Sequence, residues 1–377
     1  MKRMLIIPVA IATVCSLTIK AQELPTKKET LKTLVSVNSY FIKKHEDPTL
    51  PSNTDRVRPS NIWTRGVYYE GLMELYRVYP QESYYKYAFD WAAFHDWKLR
   101  NGATTRNADD QCCGQTYIDL YNISPSSPEM IRSVKDCMNM LVNTPQVNDW
   151  TWIDAIQMAM PAFAKLGKLT GEDKYYNKMW DMYAYIRNTH GGNGLFNQKE
   201  GLWWRDQDFD PPYKEPNGEN CYWSRGNGWV YAALVRVLNE IPQKEQHRTD
   251  YINDFKMMSR ALKECQRKDG FWNVSLHDPT NFGGKETSGT SLFVYGMCWG
   301  IRNGILDRKE YLPVAVKAWN AMVKEAVHPD GFLGYVQGTG KEPKDGQPVT
   351  YDSVPNFEDY GVGCFLLAGV EMYKLKE

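Results

Sequence analysis

The acid at position 154 lies between tryptophans, in the segment Trp150-Thr-Trp152-Ile-Asp154. Apolar residues at helical spacing begin at the same point, which places the carboxyl group in the first turn of a predicted helix. An acid in that turn stabilises the helix dipole, which is a purely structural role. A catalytic role is the other interpretation. Apolar walls raise the pKa of a carboxyl group, and a carboxyl that is protonated near neutral pH can donate a proton and later take one back.

A second pair of acids, Asp109 and Asp110, begins another predicted helix. Adjacent side chains point in different directions, so at most one of the two faces a cavity shared with Asp154, and one can serve as an N-cap. Two carboxyl groups facing one another are the minimum equipment of most enzymes that hydrolyse glycosidic bonds. The pattern therefore indicates carboxylate chemistry on a sugar.

A basic residue opens a further predicted helix in the segment Trp223-Ser-Arg225-Gly-Asn-Gly-Trp229. The structural interpretation is a turn with a solvated arginine. The functional one is bidentate recognition of a carboxylate, with a tryptophan on either side as an apolar platform for a sugar ring. Glu286 opens the next helix, either as a cap or as a contact to a sugar hydroxyl.

These positions belong to a repeat that predicts the architecture. Six amphipathic helices begin near Thr64, Asp109, Thr151, Ser224, Thr287 and Glu358, and all but the last lead through a short turn into a second helix. The opening helix, residues 31–43, supplies the missing partner. Six inner and six outer helices make a closed all-α ring, an (α/α)6 barrel, as one domain over residues 22–377. An open solenoid is the alternative, but it requires polar caps that no repeat resembles.

Loop lengths predict a functional end of this ring. Connections from inner to outer helices are short, whereas those from outer to inner helices are long, and long loops in compact domains are typically functional. Eight of the 13 tryptophans lie in or beside the long loops, which favours a sugar-binding cleft: Trp63, Trp150, Trp152, Trp203, Trp204, Trp223, Trp229 and Trp272. Residues 195–196 and 202–204 are expected to form a small hairpin there.

Composition narrows the class of protein. The 377 residues include 45 basic and 45 acidic side chains, a balance that gives no reason to expect a nucleic-acid or membrane-surface partner. No pair of cysteines has zinc-finger spacing, and no nucleotide-phosphate loop occurs. The six histidines all avoid the predicted inner-helix starts, which argues against a histidine-based epimerase.

The N-terminus predicts export. Lys2 and Arg3 precede an apolar stretch, residues 5–19, that is too short to be a comfortable membrane span. Cleavage after Ala21 would leave residues 22–377. Seven cysteines would then remain, an odd number without regular spacing, which does not indicate a disulfide framework. We expect a soluble protein of the periplasm or the extracellular space.

The assembled motifs resemble the unsaturated uronyl hydrolases, and most of all the unsaturated rhamnogalacturonyl hydrolases of glycoside hydrolase family 105. The resemblance covers residues 63–375 and rests on the segments 152–154, 223–229, 286–288 and 361–368. It implies an (α/α)6 barrel without a metal or organic cofactor. It also implies an oligosaccharide substrate, left by a polysaccharide lyase, that ends in a 4,5-unsaturated uronic acid.

The same resemblance implies roles for single residues. Asp154 would be the general acid and base, and the second acid would be Asp109 or Asp110, with Asp110 preferred. The candidate substrate-binding residues are Trp63, Trp152, Arg205, Trp223, Arg225, Trp229 and Glu286. Arg205 is a departure, because many family members have a histidine after the preceding aromatic pair, and this leaves the subsite contacts and the linkage open.

Two other functions remain open at the level of sequence. One is a conventional two-carboxylate glycosidase that acts on a saturated sugar, and the other is a sugar-binding protein without turnover. The sequence also leaves open the sugar next to the uronate, with rhamnogalacturonan fragments as the default, and the oligomeric state.

Overall fold

The computed structural model describes residues 23–53 and 57–375, and the predicted signal peptide, residues 1–21, lies outside them. The helices are α1 Lys27–Lys44, α2 Trp63–Val78, α3 Glu82–Phe94, α4 Ala108–Gln111, α5 Cys113–Ile123, α6 Glu129–Val142, α7 Asp154–Thr170, α8 Lys174–Asn188, α9 Ser224–Glu240, α10 Arg248–Glu264, α11 Thr287–Arg302, α12 Arg308–Glu325 and α13 Asp359–Lys374. The strands are β1 Ser52–Asn53, β2 Val57–Arg58, β3 Phe196–Asn197 and β4 Leu202–Trp203, in two antiparallel pairs.

The inner helices close into a ring. Around it, α2 contacts α5, α5 contacts α7, and α7, α9, α11 and α13 follow in order until α13 returns to contact α2. Each inner helix also packs against an outer one, and α1 completes the outer circle by packing on α13. The predicted all-α (α/α)6 barrel is confirmed, and the open solenoid is excluded because the last inner helix contacts the first.

The inner and outer helices differ in how much of their surface is buried. In α7 every residue from 154 to 167 is buried, as expected of a helix surrounded by neighbours on all sides. In α10 the buried residues include Tyr251, Phe255, Met258 and Leu262, whose spacing of three or four makes a single apolar stripe. The apolar periodicity visible in the sequence thus corresponds to the face that each outer helix turns toward the inner ring.

Ring closure depends on close backbone approach between α2 and α13. A Cβ atom built on Gly71 would overlap the carbonyl of Gly363, and one on Gly363 would overlap the carbonyl of Val67. Only glycine leaves room for this contact. The two glycines therefore set the distance at which the first and last inner helices meet.

The C-terminal ends of the inner helices surround a charged cavity of about 660 Å³. Six cations line it, against three carboxylates, which suits a place where partial negative charges of helix C-termini converge. Within its wall, the Lys165 ammonium pairs with Asp119, and both side chains are nearly inaccessible. Burial acts to raise the pKa of Asp119, but Lys165 and Arg77 outweigh it and lower that pKa to about 2.

Replacing Lys165 by Met is expected to lower the free energy of unfolding by about 3 kcal/mol, because buried Asp119 would lose one of its two directly paired cations and keep only Arg77. Lys168 is the matched control on the same helix, since its side chain is 61% exposed and its Met variant should cost less than about 1 kcal/mol. Chemical denaturation measures both. The stabilisation is present above the unfolded-state pKa of about 4 and is lost as the pH falls toward 2. Equal losses in the two variants would contradict this account.

The predicted hairpin is present at the opposite end. Strand β3 pairs with β4, with Phe196 opposite Trp203, and the aromatic rings of that pair lie 4.8 Å apart. The hairpin precedes the segment that carries Arg205, so it directs that segment toward the inner-helix starts. Across the described residues, no helix combines the length and apolarity needed to cross a bilayer.

Candidate active site

The starts of the inner helices form the mouth of the barrel, where the long loops converge. Asp154 is the first residue of α7, and Asp109 lies in the first turn of α4, which contacts α7. The charge of Asp154 acts on Asp109 and raises its pKa. Two acids from neighbouring inner helices therefore lie within electrostatic reach of each other.

Asp154 accepts a hydrogen bond from Arg205, which lies just after the β3–β4 hairpin. Asp154 is 8% exposed, and Arg205 Nε donates to its Oδ2 over 3.2 Å. The backbone fixes this contact, because the Ile153 amide donates to the carbonyl of Arg205 over 3.0 Å. Arg205 also donates to Asp206 over 2.6 Å. Burial raises the pKa of Asp154, and the charges of Arg205 and Arg225 oppose that rise.

Asp109 is partly exposed, and no residue in the described ranges donates a hydrogen bond to its carboxyl group. Burial and the neighbouring charge of Asp154 raise its pKa to about 7, while Arg205 acts in the opposite direction. A carboxyl group with that pKa is about half protonated at neutral pH. The two acids and the arginine form a cluster that can hold one proton between two carboxyl groups.

Asp110 has a different environment from Asp109, and the choice of the second acid between the two stays a prediction. Asp110 is 5% exposed and accepts hydrogen bonds from Thr105 over 2.7 Å and Asn101 over 2.9 Å. These contacts tie the preceding loop to α4. A signal for this was present in the sequence: with Asn107 as N-cap, Asp110 is the third helical residue, where an acid typically turns back toward the loop.

The tryptophans of the mouth divide into two groups. Trp63 and Trp152 are partly exposed, as a residue that stacks on a sugar has to be. Trp229 and Trp223 are buried, with exposures of 0% and 1%. Trp63 covers Trp229 edge-on, with 6.2 Å between the ring centroids. The indole N–H of Trp229 has no acceptor among the described residues, so an unused donor lies beneath the exposed ring of Trp63.

Arg225 lies beneath the open mouth, and its predicted contact with substrate stays a prediction. It is 1% exposed, and its two terminal nitrogens donate to the carbonyls of Gln337 and Gly338, each over 2.8 Å. The guanidinium lies 4.5 Å from the ring of Trp223 and 5.0 Å from that of Tyr360. Its positive charge still reaches Asp154 through the interior.

Glu286 is the N-cap of α11, which is one of the two roles expected for it, and its predicted contact with a sugar hydroxyl stays a prediction. It is fully buried, and its carboxylate accepts from the amides of Ser288 over 2.8 Å and Gly289 over 2.7 Å. The Ser288 hydroxyl and the Gln337 amide also donate to it. Both carboxylate oxygens of Glu286 therefore point into the protein and accept hydrogen bonds from it.

Gln337 was missed by the sequence interpretation, although Trp223, Arg225 and Glu286 all bond to it. It lies in the long loop before α13, 114 positions from Trp223. Its sequence neighbourhood carries no helical or strand periodicity. The one available signal was the length of the loop itself.

The described residues contain no group of three or more His, Cys, Asp or Glu side chains that could hold a metal ion. At the mouth Arg205 bonds to Asp154, and Asp109 lies within electrostatic reach of both. Carboxyl groups of this kind transfer protons, and a guanidinium binds a carboxylate or another anionic group.

The chain is similar to several known proteins. A relative from Formosa agariphila, named unsaturated 3S-rhamnoglycuronyl hydrolase, is 33% identical over 334 residues, or 84% of this chain and 85% of the relative. A solved structure of glycosyl hydrolase family 88 from Bacteroides vulgatus is 33% identical and superposes with a TM-score of 0.84, over 93% of this chain and 100% of that one. Another solved structure, described as a polysaccharide lyase, is also 33% identical, with a TM-score of 0.83 over 92% of this chain and 97% of that one.

The match to a family covers nearly the whole chain. Residues 33–376 fit the family described as Glycosyl Hydrolase Family 88. This match and the named hydrolase relative confirm the resemblance to the unsaturated uronyl hydrolases. The chain is therefore a glycoside hydrolase and belongs to glycosyl hydrolase family 88.

Proposed function

We propose that this glycoside hydrolase releases a 4,5-unsaturated uronic acid from the non-reducing end of oligosaccharides that polysaccharide lyases produce. The observation that carries the proposal is the pair Asp109 and Asp154, on adjacent inner helices, with Arg205 bonded to one of them. The name of the Formosa agariphila relative supports a rhamnose as the sugar next to the uronate.

The substrate is an enol ether, so the reaction needs a proton donor at C4 rather than at the glycosidic oxygen. Asp154 gives its proton to C4, and an oxocarbenium-like centre forms at C5. Water adds to C5 and returns a proton to Asp154. The hemiketal at C5 then opens: the bond between C5 and the ring oxygen breaks, and the ring oxygen stays on C1. The hemiacetal at C1 then collapses to an aldehyde and releases the neighbouring sugar with its glycosidic oxygen.

A change of partner at Arg205 switches Asp154 between its ionised and protonated forms. In the free enzyme its guanidinium favours the ionised form of Asp154. The carboxylate of an entering uronate offers Arg205 a second anionic partner. When Arg205 turns to that partner, burial dominates at Asp154 and favours its protonated form. Asp109, which is about half protonated near pH 7, is the adjacent proton source.

The pH dependence follows from this proton. Because the cluster must hold one proton, kcat/KM is expected to fall as the pH rises through about 7, the pKa of Asp109. Arg205 lowers the pKa of both acids, so Arg205→Met should move this alkaline limb upward by about one pH unit and also raise KM. Arg267, on another mouth loop, pairs with Asp269 and provides the matched control. Rate measurements across pH check this, and a limb that moves downward in Arg205→Met would contradict it.

The proposed activity is tested with lyase-generated oligosaccharides in two simultaneous assays. A hydrolase of this type removes the near-ultraviolet absorption of the conjugated C4=C5 acid as reducing ends appear. A conventional glycosidase acting on a saturated sugar releases reducing ends while the absorption stays. A sugar-binding protein gives neither signal, and a lyase acting on intact polysaccharide increases the absorption. Reducing ends without loss of absorption would refute the proposal.

We also propose that the protein is exported, in keeping with the basic start and the apolar stretch of residues 5–19. The test is N-terminal sequencing of the protein recovered from the periplasm or the medium of its own host. Cleavage after Ala21 is the expected result, and recovery of the intact N-terminus from the cytoplasm would contradict it.

A further inference from the structure

The last mouth loop, residues 326–358 between α12 and α13, is attached to the barrel through one buried amide side chain. Gln337 is fully buried, and its Oε1 accepts from the indole N–H of Trp223 over 2.9 Å. Its Nε2 donates back into its own loop, to the carbonyls of Glu342 over 3.1 Å and Asp345 over 2.7 Å. One side chain thus closes the segment 337–345 on itself and attaches it to the start of α9.

The backbone of the same residue makes three more attachments. Its carbonyl accepts from Arg225 over 2.8 Å and from the hydroxyl of Tyr360, and its amide donates to Glu286 over 3.3 Å. These partners belong to the starts of α9, α13 and α11. Gln337 therefore joins three of the six inner-helix starts, although it lies on none of them.

Through Arg225 and the start of α9, the contacts of Gln337 also affect Asp154. Arg225 is fixed by the carbonyls of Gln337 and Gly338, and its charge lowers the pKa of Asp154. The next residue, Gly226, packs closely against the residue before Asp154: a Cβ built on Gly226 would lie 3.1 Å from Ile153 Cδ1. A shift of the α9 start would thus change both the position of Arg225 and the packing beneath Asp154.

A second link joins the same loop to the segment that carries Arg205. The Lys341 ammonium pairs with Asp208 over 2.6 Å. Because 42% of the Lys341 side chain and 68% of the Asp208 side chain are exposed, this ion pair adds little stability. The buried contacts of Gln337 therefore hold the segment 337–345 more firmly than this ion pair does, while Thr287 at the start of α11 holds the preceding residues through bonds to the carbonyls of Gly334 and Tyr335.

We propose that Gln337 is a positioning residue for the reaction: it fastens the last mouth loop to the starts of α9, α11 and α13 and so holds the Arg225 guanidinium in place beside the start of α7. This inference rests on the proposed function for its kinetic consequences. The residue touches no reacting atom, and it acts through Arg225 and the mouth loop.

The test compares two glutamines of one loop. Gln337→Met removes the amide and leaves Trp223 Nε1 and the Asp345 carbonyl without this partner. Gln347→Met is the matched control, because Gln347 also donates to a carbonyl of this loop, that of Pro343, but bonds to none of the inner-helix starts. Three quantities are measured for each variant: hydrogen exchange of amides 338–346, kcat/KM on an unsaturated oligosaccharide, and the pH dependence of kcat/KM.

For Gln337→Met we expect exchange to accelerate by about 10-fold or more, and kcat/KM to fall about 10- to 100-fold. The alkaline limb of the pH profile should move upward by about half a unit, because a displaced Arg225 no longer favours ionised Asp154. A residue that only stabilised the fold would not move that limb. Gln347→Met should leave the limb and the exchange of 338–341 unchanged.

Identical behaviour of the two variants, or an unmoved limb in Gln337→Met, would overturn the proposal. Should Gln337→Met not fold, Tyr360→Phe removes a single hydroxyl bond to the Gln337 carbonyl and should move exchange and the pH limb in the same direction by less. A wild-type enzyme that turned over no unsaturated oligosaccharide would refute the proposed function. The exchange comparison would still decide whether Gln337 fastens the loop.

Discussion

Replacing Asp154 by Asn is expected to reduce kcat by about 10³-fold or more, with little loss of substrate affinity. The amide keeps the size of the side chain and an oxygen that accepts from Arg205, so the shape of the mouth is preserved. It has no proton to give to C4 and cannot accept one from water. Since the acid acts on the transition state, the loss appears in kcat rather than in binding.

The measurement pairs turnover with affinity. Turnover is followed by loss of near-ultraviolet absorption, and affinity by calorimetric titration with the same oligosaccharide. Asp208→Asn is the control, because this exposed mouth-loop acid pairs only weakly with Lys341 and should keep nearly full rate. Full activity in Asp154→Asn would show that the role of the residue is wrongly assigned.

The neighbouring acids Asp109 and Asp110 should respond very differently to the same substitution. Asp109→Asn is expected to lower kcat by about 10²-fold, because the site loses the carboxyl group that holds a proton near pH 7. Asp110→Asn keeps an acceptor for Thr105 and Asn101 and removes the charge that pairs with Arg100 over 3.8 Å. Its kcat should stay within about threefold, with a small drop in thermal stability.

A pH profile separates this from a simple loss of packing. In Asp109→Asn the limb near pH 7 should disappear, because the group that titrates there is gone, whereas Asp110→Asn should retain it. The opposite pattern, with activity lost on substitution of Asp110 and kept on substitution of Asp109, would instead make Asp110 the second acid, as the family resemblance implies.

Periodicity and loop length were sufficient to predict the ring. Inner and outer helices both carry apolar residues at helical spacing, and these patterns depend only on neighbours three or four positions away. The position of Asp154 at the start of α7 followed from the same periodicity. The hairpin before Arg205 was also predictable, since its two strands are only a few residues apart.

The sequence could not predict which polar groups meet across the mouth. Arg225 and Glu286 have the residue types expected of sugar contacts, yet both are turned inward to bonds with Gln337. Those bonds join positions 51 to 114 residues apart, and no local pattern encodes them. Asp109 and Asp110 differ only by a rotation of about 100° around the helix axis, which the position of the N-cap decides.

The central claim is that a carboxyl group of the protein transfers a proton to C4 of the unsaturated sugar. Running the reaction in D₂O tests this claim most directly. Nuclear magnetic resonance of the product collected in the first minutes shows where deuterium has entered. This account predicts one deuteron at C4, on a single face, in the product of the wild-type enzyme. An initial product that keeps the C4=C5 bond, or deuterium spread equally over both faces of C4, would contradict it.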